Sequence, residues 1–445
     1  MRKLRIAFIF IVGLLMYSLV LMVCVRNIYI SGDGGEKKLG MFAAPLKYMA
    51  ELPANLLRIF KPKEYFVTNS DSKDGFNYFV KPTKNTYPKL LVSYNGSGDY
   101  ENKFDLLDIN TGKLIKRWFP DNKKLYEAAY NPENPSRPPS GSSDLYLEHP
   151  LLMPDSSLIF IAPMTSLIAR IDKESNLSWL KNNRVYHHSL QIGPDGNIYT
   201  CAQPFMSGGY EIFPGKREDY KDVLQDDHIT VLDPDTGDEI FDKSVIEILL
   251  ENGYEKLLLA KGEVTSDPIH LNDVQPALRT TEYWKEGDVL ASCRHLSAVF
   301  LYRPSTNKIL WLKTGPWYNQ HDADFYGEDK IVVYGNDVIR DESRGIGRLS
   351  GALESFTDSR EHNEVYVYNF SNDSITTPYH ELMESENVRT KGEGRCDILP
   401  NGDLFVEETE GGRVIIGDSA TKKIEWVKRL DDEHVAYLHW CRIIK

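Results

Sequence analysis

Histidines stand at the start of strand-like segments at four successive points of the chain, and an arginine stands at the next such start. The stretches are "EHP" with His149, "YHHS" with His187 and His188, "IHLND" with His270, "QHDA" with His321, and "GEGRCD" with Arg395. The chain has only 11 histidines, so chance would rarely place them this way. An imidazole can donate, accept or attack, and a guanidinium binds two oxygens of an oxyanion at once. If these side chains converge, they form a pocket for a tetrahedral anion.

The segment after His270 carries further polar groups of the same kind. Asn272 follows in "IHLND", and "LASCRH" places Arg294 and His295 at the end of another strand-like run. The sequence contains neither a glycine-rich phosphate loop nor an obvious Asp/Glu cluster of the kind that holds magnesium for phosphoryl transfer. A sulfate monoester carries one negative charge rather than two. A His/Arg pocket without metal or cofactor can therefore neutralise the charge that develops during sulfuryl transfer.

Repeated hairpins must position these residues. One unit is a strand, a turn of Asp, Asn or Thr with Gly, and a second strand often closed by Trp. It occurs at 106–118, 168–180, 229–241, 300–312, 365–377 and 414–427. Such turns between alternating apolar runs are typical of β-hairpins. The sequence thus contains six copies of one hairpin.

A second hairpin precedes most copies of the first. It occurs at 151–163, 190–203, 322–336 and 396–409, with partial forms at 286–295 and 87–96. Two hairpins make four strands, and six four-stranded units predict an all-β, six-bladed β-propeller. A β-sandwich or two separate β domains is the alternative. In a propeller the first strand of each blade lines the central channel, so the polar strand starts would ring one mouth of it.

The role of each histidine remains open at this point. A single polar residue at a blade start often serves to satisfy backbone groups between blades. The set as a whole favours a functional site over that structural role.

The first 26 residues predict a transmembrane signal anchor. A basic stretch from Arg2 to Arg5 precedes an uncharged run at 6–25, about the length that a helix needs to cross the hydrocarbon core. A cleaved signal peptide is the alternative. We expect an anchor at 1–26, a connector with short helices at 27–86, and the propeller at 87–445. This predicts a single-pass protein of the inner membrane with its propeller in the periplasm, or a free periplasmic protein if the signal is cleaved.

Composition excludes one class of partner. The formal net charge of −13 argues against nucleic acid, because binding a polyanion requires clustered Lys and Arg. The cysteines beyond the anchor, Cys201, Cys293, Cys396 and Cys441, lie singly in strand-like segments without zinc spacing. We predict buried free thiols, with a disulfide between two of them left open.

The run "IHLNDV…LASCRHLSAVFLYRPSTNKILWLKTGP…NQHDADF" resembles the signature stretch of the bacterial arylsulfate sulfotransferases. The upstream "VYHHSLQIGPDGNIYTCA" resembles the His-His strand start of that family. The resemblance covers roughly 145–430 and is strongest at 265–336. It implies a periplasmic six-bladed propeller that moves a sulfuryl group from an aryl sulfate donor to a phenolic acceptor without a nucleotide.

The resemblance also implies roles for individual residues. His321 would be the nucleophile and pass through a sulfohistidine intermediate. His270 would bind the sulfuryl oxygens or assist proton transfer, and Arg294 would clamp the sulfuryl anion. Either His187 or His188 would be a further ligand, since alternation along a strand turns only one of them inward. His149, Asn272 and Arg395 complete the predicted substrate-binding set.

Two rival functions remain. Clustered imidazoles also bind zinc, copper or iron, which would fit a metal-dependent lyase or hydrolase. A propeller can also be a non-catalytic, membrane-tethered scaffold, because fold alone does not determine function.

Overall fold

The computed structural model describes residues 12–18, 20, 21, 23, 66–69, 71–83, 86–95, 102–129, 145–162, 166–205, 210–213, 224–260, 262, 265–340, 356–358 and 362–444. The chain divides into two compact units, Met1–Glu64 with Gly345–Leu353, and Tyr65–Arg344 with Glu354–Lys445. The second unit contains all the strands described below.

The second unit contains six antiparallel sheets of four or five strands, which we call blades 1 to 6. The strands are numbered in chain order, and each blade is given from its innermost to its outermost strand. Blade 1 comprises β29 (Arg442–Ile444), β3 (Lys89–Asn95), β4 (Asn102–Asp108) and β5 (Lys113–Trp118). Blade 2 comprises β6 (Glu148–Leu152), β7 (Leu158–Ala162), β8 (Leu167–Ile171) and β9 (Leu177–Lys181), and blade 3 comprises β10 (Val185–Ile192), β11 (Ile198–Gln203), β12 (His228–Leu232) and β13 (Glu239–Ser244).

The second half of the ring follows the same order. Blade 4 comprises β14 (Leu271–Pro276), β15 (Val289–Cys293), β16 (Ala298–Arg303) and β17 (Lys308–Thr314). Blade 5 comprises β18 (Asp322–Tyr326), β19 (Lys330–Gly335), β22 (Glu364–Asn369) and β23 (Ser374–Thr376). Blade 6 comprises β24 (Arg395–Ile398), β25 (Leu404–Glu408), β26 (Arg413–Gly417), β27 (Lys422–Val427) and the added β2 (Gly75–Tyr78).

Shorter elements lie outside this repeat. Strand β1 (Phe66–Thr68) pairs with β28 (His434–Ala436), and β20 (Val338–Arg340) pairs with β21 (Phe356–Asp358). Within its described residues, the helices of this unit are Asn122–Ala129, Val245–Glu251, Glu255–Leu259 and His380–Ser385, with 3-10 turns at Arg294–Leu296 and Pro304–Thr306.

The predicted six-bladed propeller is confirmed, and every one of the six predicted outer hairpins is present. The hairpin predicted at 300–312, for example, is formed by β16 and β17, and the one predicted at 168–180 by β8 and β9. The sandwich and two-domain alternatives are excluded. Asp/Asn/Gly turns and strand alternation were sufficient to find these hairpins, because both signals are local.

The closing strand of the ring was not predicted. Strand β29, at the very end of the described chain, pairs with β3 and becomes the innermost strand of blade 1. Strand β2, which lies in the segment predicted as a connector, extends blade 6 by pairing with β27. The short helices predicted near 41–60 lie outside the described residues. Both ends of the propeller sequence therefore stabilise the closure.

Apolar side chains pack between neighbouring blades rather than within one central core. Because alternate residues of a strand point to opposite faces, Val289 and Ala291 of β15 pack toward blade 3, whereas Leu290 packs toward blade 5. Four further buried clusters repeat this pattern, so that the joints between neighbouring blades are filled around the ring. Each blade is thus held by the two beside it.

The N-terminal segment is described only in part. Residues 12–18, 20, 21 and 23 are helical, and no helix among the described residues is long and apolar enough to span a membrane. The signal anchor stays a prediction. Cys201, Cys293, Cys396 and Cys441 are buried free thiols, as predicted.

The closing segment gives a stability prediction. Leu438 is fully buried between blades 6 and 1 and is bridged to Tyr94 of β3. We expect Leu438→Ala to cost about 2–5 kcal/mol of unfolding free energy, through lost burial and the cavity left behind. Urea unfolding measures this loss.

Leu278→Ala is the matched control, because Leu278 is 64% exposed and its truncation is expected to change stability by no more than about 0.5 kcal/mol. Equal effects of the two substitutions would show that the C-terminal segment does not close the ring.

Candidate active site

The first strands of the blades lie at the inner edge of the ring, where those of neighbouring blades contact one another. A residue with left-handed backbone stands at or just before each of these strands. These residues are Trp440, His149, His188, His270, Asn319 and Gly394. The repeated bend turns the six strand starts toward the axis at one mouth of the channel.

Three of the bends place histidines in a conformation that non-glycine residues rarely adopt. His149, His188 and His270 have φ of 54°, 54° and 52°. The pairing of the first strand with the second shifts register across His149 and His188, and just after His270, between Leu271 and Asp273, as in a β-bulge. Left-handed backbone at such residues costs about 1–3 kcal/mol and clusters at functional sites, and a bulge re-aims the side chain. Here it directs the imidazoles into the mouth.

His188 lies at the centre of the converging rings. Its ring centroid is 5.1 Å from that of His270, 5.9 Å from His321 and 6.4 Å from His149. His187 contacts it through the two Nδ1 atoms at 2.7 Å. Residues separated by more than 170 positions in sequence therefore share one small volume, as the propeller prediction required.

His321 is held in one tautomer by Asn336. The Nδ1 atom of His321 lies 2.8 Å from Oδ1 of Asn336. The amide of Asn336 cannot be turned the other way, because its Nδ2 donates to the carbonyls of Thr390 and Glu393 at 3.0 and 2.7 Å. Its Oδ1 must then accept from Nδ1–H of His321. The lone pair of the ring consequently resides on Nε2, which leaves that atom able to act as a nucleophile.

His270 is paired with a carboxylate. Its Nδ1 lies 2.6 Å from Oδ2 of Asp267, and the backbone carbonyl of Asp267 accepts from Nδ1 of His295 at 2.7 Å. Burial opposes ionisation of Asp267, but the hydrogen bond from His270 prevails and lowers the pKa of that carboxyl. An ionised Asp267 orients His270 and offsets the positive charge that the ring gains when it takes up a proton. This is the geometry of a general acid–base pair.

Arg294 supplies the guanidinium of the site. It is 5% exposed, directly follows β15, and its Nη1 lies 3.4 Å from Nε2 of His295. Its Nη2 donates to the Lys391 carbonyl at 3.3 Å. The charge of Arg294 acts on His321, where it disfavours a second positive charge. The same charge is available to attract an anion entering the mouth.

The central imidazoles are uncharged at neutral pH. Burial lowers the pKa of His321 well below its usual value, with Arg294 and His270 adding to the effect. Burial and the neighbouring rings do the same to the pKa of His188. Burial also lowers the pKa of His149 well below its usual value, with the charges of Arg442 and Arg395 adding to the effect. Burial, with His270, also lowers the pKa of His295 to about 4. The rings are therefore neutral nucleophiles or hydrogen-bonding groups rather than fixed cations.

The opposite side of the mouth, built from blades 6, 1 and 2, is acidic and phenolic. Burial and the charge of Glu407 raise the pKa of Glu148 to about 8. Oε1 of Glu148 lies 3.9 Å from Nδ1 of His439, whose ring is flanked by Tyr146 and Tyr437 at 5.4 and 5.5 Å. A protonated carboxyl thus faces the imidazole cluster.

Carboxylates rather than histidines join the backbones of successive blades. Asp227 accepts from the Leu271 amide, Asp273 from Ala323, and Asp322 from Cys396. Glu407 accepts from the amides of Trp440 and Cys441, which completes the pattern between blades 6 and 1. The structural role considered for the histidines is therefore performed by acidic residues, which leaves the imidazoles free for chemistry.

The channel below the mouth is filled by a buried ionic network. Burial raises the pKa of Asp273 and Asp322 to about 7. Arg395 donates to Asp397 and Asp324 at 3.1 and 3.5 Å and lies 3.8 Å from Asp322. These contacts bind Arg395 to the network rather than to an anion in the mouth.

The structure brings most of the predicted site residues together. His321, His270, Arg294, His188, His187 and His149 converge. Arg395 is instead held by aspartates, and the Nδ2 of Asn272 donates to the Gln320 carbonyl at 2.6 Å. Of the His-His pair, His188 faces the cluster and His187 lies behind it, 3.2 Å from Asp227. Strict alternation does not apply there because of the bulge between His187 and Leu190.

Several supporting residues were not found from the sequence. Asp267 had a readable signal, because it stands three positions before His270 in "DPIH". Trp440, 4.3 Å from His149, and His439 belong to the unpredicted closing segment, whose "LHWCR" resembles the other strand starts. Asn336 gave no signal of its own, because its contact with His321 depends on the register of β18 and β19.

The mouth also has the donors for a metal ion. Ligand atoms of His188, His270 and His321 lie within 4.8 Å of one another, and so do those of Asp267, His270 and His295. Three imidazoles with an open fourth position are a common zinc arrangement. The geometry alone thus permits both a sulfuryl group and a metal at this point.

Comparisons with known proteins give distant structural matches and one family match. A comparison with curated proteins finds no match. Solved structures that resemble the chain include a protein of unknown function from Bacteroides caccae (TM-score 0.44, 11% identity, 75% of this chain and 90% of that one). They also include an inactive virginiamycin B lyase from Staphylococcus aureus with quinupristin (TM-score 0.38, 9% identity, 82% of this chain and 99% of that one). A third is the β-propeller domain of the Trilobed protease from Pyrococcus furiosus (TM-score 0.34, 12% identity, 80% of this chain and 85% of that one). These similarities are too low to inform function.

The family comparison is more specific. The family model of arylsulfotransferase (ASST) matches residues 149–430, which span well over half of the chain and all the converging histidines from His149 to His321. The protein belongs to the arylsulfotransferase family.

Proposed function

We propose that this protein is an arylsulfate sulfotransferase that works through a sulfated His321. The observation that carries the proposal is the buried His321 ring, whose Nδ1–H is fixed on Asn336 so that Nε2 presents its lone pair. Membership of the arylsulfotransferase family supports transfer chemistry of this type. Arg294, His188 and His270 surround the same volume.

The first half-reaction transfers the sulfuryl group to the enzyme. Nε2 of His321 attacks sulfur, an N–S bond forms, and the S–O bond to the aryl oxygen breaks with its electron pair on the leaving phenolate. His270, oriented by Asp267 at 2.6 Å, enters this step with protons on both ring nitrogens and delivers the Nε2 proton to that oxygen. Arg294 and His188 stabilise the sulfuryl oxygens, where one preorganised donor is typically worth about 10²–10³ in rate.

The second half-reaction reverses these steps with a phenolic acceptor. His270 removes the proton from the acceptor hydroxyl, the phenolate oxygen attacks sulfur, and the N–S bond returns its electron pair to His321. Two half-reactions at one nucleophile give ping-pong kinetics. In the proposed setting the N-terminal segment anchors the chain in the inner membrane and the propeller meets its substrates in the periplasm.

A metal-dependent lyase or hydrolase is the second candidate. It is favoured by the ligand atoms of His188, His270 and His321, which lie within 4.8 Å of one another. The two candidates differ in their response to chelation: sulfuryl transfer from an aryl sulfate to a phenol should survive exhaustive chelation, whereas metal-dependent chemistry should cease.

Exposure to an aryl sulfate should leave one sulfuryl group on a peptide containing His321. Mass spectrometry of a rapid acid-free digest measures this adduct, and colour measures release of the chromogenic phenolate. His321→Ala should abolish both. His434→Ala is the matched control, since His434 is a half-buried surface ring paired with Asp431. A sulfated wild-type peptide that lacks His321 would contradict the proposed nucleophile.

Asn336→Ala tests the tautomer. Without its acceptor, Nδ1 of His321 no longer holds the proton preferentially, so Nε2 loses nucleophilic character. We expect kcat to fall by on the order of 10²-fold with little change in KM, since the lost interaction serves the attack rather than binding. Single-turnover phenolate release measures the step. A rise in KM at unchanged kcat would show that Asn336 acts in binding instead.

The pH dependence of the first half-reaction tests whether the pKa of His321 is lowered. Because the pKa of His321 lies well below the ordinary 6.5, the neutral nucleophile persists as pH falls through that value. With a nitrophenyl sulfate, whose phenolate leaves without protonation, the first half-reaction should have the same rate at about pH 8 and at pH 6.5. Stopped-flow absorbance measures the rate. If the rate fell to half its value at about pH 8 while the pH was still 6.5 or higher, a depressed pKa of His321 would be excluded.

A further inference from the structure

A second group of metal-ligating side chains lies outside the mouth, on blade 5. His362 and Glu364 stand at the start of β22, and His380 begins the helix His380–Ser385. One ligand atom of each lies within 4.8 Å of the other two, and the two imidazole centroids are 5.1 Å apart. The three residues come from two separate elements, so the fold rather than local sequence assembles them.

Glu364 is a buried carboxylate. It is 1% exposed, its Oε1 accepts from the Val365 amide at 3.0 Å, and its Oε2 lies 2.7 Å from Nδ1 of His380. Burying an ionised carboxylate is costly unless a positive charge or metal ion compensates it. A divalent cation at this position would supply that charge.

His362 is oriented as a metal ligand. Its Nδ1 lies 2.8 Å from the carbonyl of Asn363. Since a carbonyl can only accept, Nδ1 carries the hydrogen and the lone pair is on Nε2. Histidines that ligate metals typically donate their other ring N–H to a carbonyl or carboxylate in this manner. The ring is therefore prepared for coordination before any ion binds.

We infer that His362, Glu364 and His380 form a zinc site. Two imidazoles and one carboxylate suit this borderline cation, whereas magnesium and calcium prefer oxygen donors throughout. The side chain of His380 is 49% exposed, so water can reach the ion and take the fourth position. This site shares no ligand with the histidine groups of the mouth.

Zinc here would stabilise the strand ends that support His321. Asn363, between two of the ligands, donates from Nδ2 to the carbonyls of Asn336 and Thr390 at 2.6 and 3.0 Å. Glu364 pairs directly with Gly335, the residue before Asn336. An ion that joins β22 to the helix at His380 therefore fixes the backbone from which Asn336 contacts the nucleophile.

The test must separate this site from the mouth. Both histidine-containing metal groups of the mouth include His270, so His270→Ala serves as the background in which they are disabled. After chelation and dialysis, calorimetric titration with zinc should give one ion per His270→Ala chain. Adding His380→Ala should weaken binding by at least about 10²-fold, and adding His434→Ala should leave it unchanged. His380 is half exposed, so its loss should not prevent folding, which circular dichroism checks.

Two further readouts complete the test. Zinc-edge X-ray absorption of the His270→Ala chain should show two imidazoles, and zinc should raise its midpoint of thermal unfolding but not that of the His270→Ala/His380→Ala chain. Zinc binding of equal affinity with and without His380, or no saturable zinc binding to His270→Ala, would overturn the inference. Neither result would bear on His321, whose sulfation is measured separately.

Discussion

Closure of the six-bladed ring is the constraint on which the site depends. Each blade is held by apolar contacts with its two neighbours, and strand β29 from the end of the chain pairs with β3 to complete the circle. Only a closed ring brings the first strand of every blade to one axis. If blade 1 lost its inner strand, the amide of Trp440 would no longer be held by the buried Glu407. The Trp440 ring would then no longer pack against His149. The catalytic geometry is thus a consequence of the fold's circular closure.

Burial sets the chemistry of the residues that closure assembles. Removing His188 and His321 from water lowers the pKa of each ring, so both stay neutral beside the cationic Arg294. A charged imidazole could not attack sulfur. On the acidic side of the mouth burial shifts the pKa in the opposite direction. It raises the pKa of the Glu148 carboxyl, which therefore stays protonated near neutral pH. In the mouth the cationic Arg294 therefore lies beside the neutral rings of His188 and His321, which fits a singly charged sulfate ester.

The polar groups of the blade starts divide into two roles. Aspartates and Glu407 accept backbone amides of the next blade and so satisfy groups that water cannot reach. His149, His188 and His270, bent into left-handed backbone, point into the open mouth with His321 beside them. This division explains why Arg395, at an equivalent position, is not part of the anion pocket: three aspartates surround it. The inferred zinc ligands on blade 5 would strengthen the same architecture from its outer side.

The sequence by itself determined the hairpins, their number and the propeller, because Asp/Asn/Gly turns and strand alternation are local properties. It also identified His270 and His321, because their spacing follows the repeat, and Arg294, because it ends the strand-like run "LASCRH" beside His295. Tertiary structure alone decided which histidine of the pair faces inward, since a β-bulge overrides alternation, and that Arg395 is held by aspartates. It also supplied Asn336, the closing strand β29 and the cluster around Glu364. Each of these depends on contacts between residues distant in sequence, for which a linear pattern contains no signal.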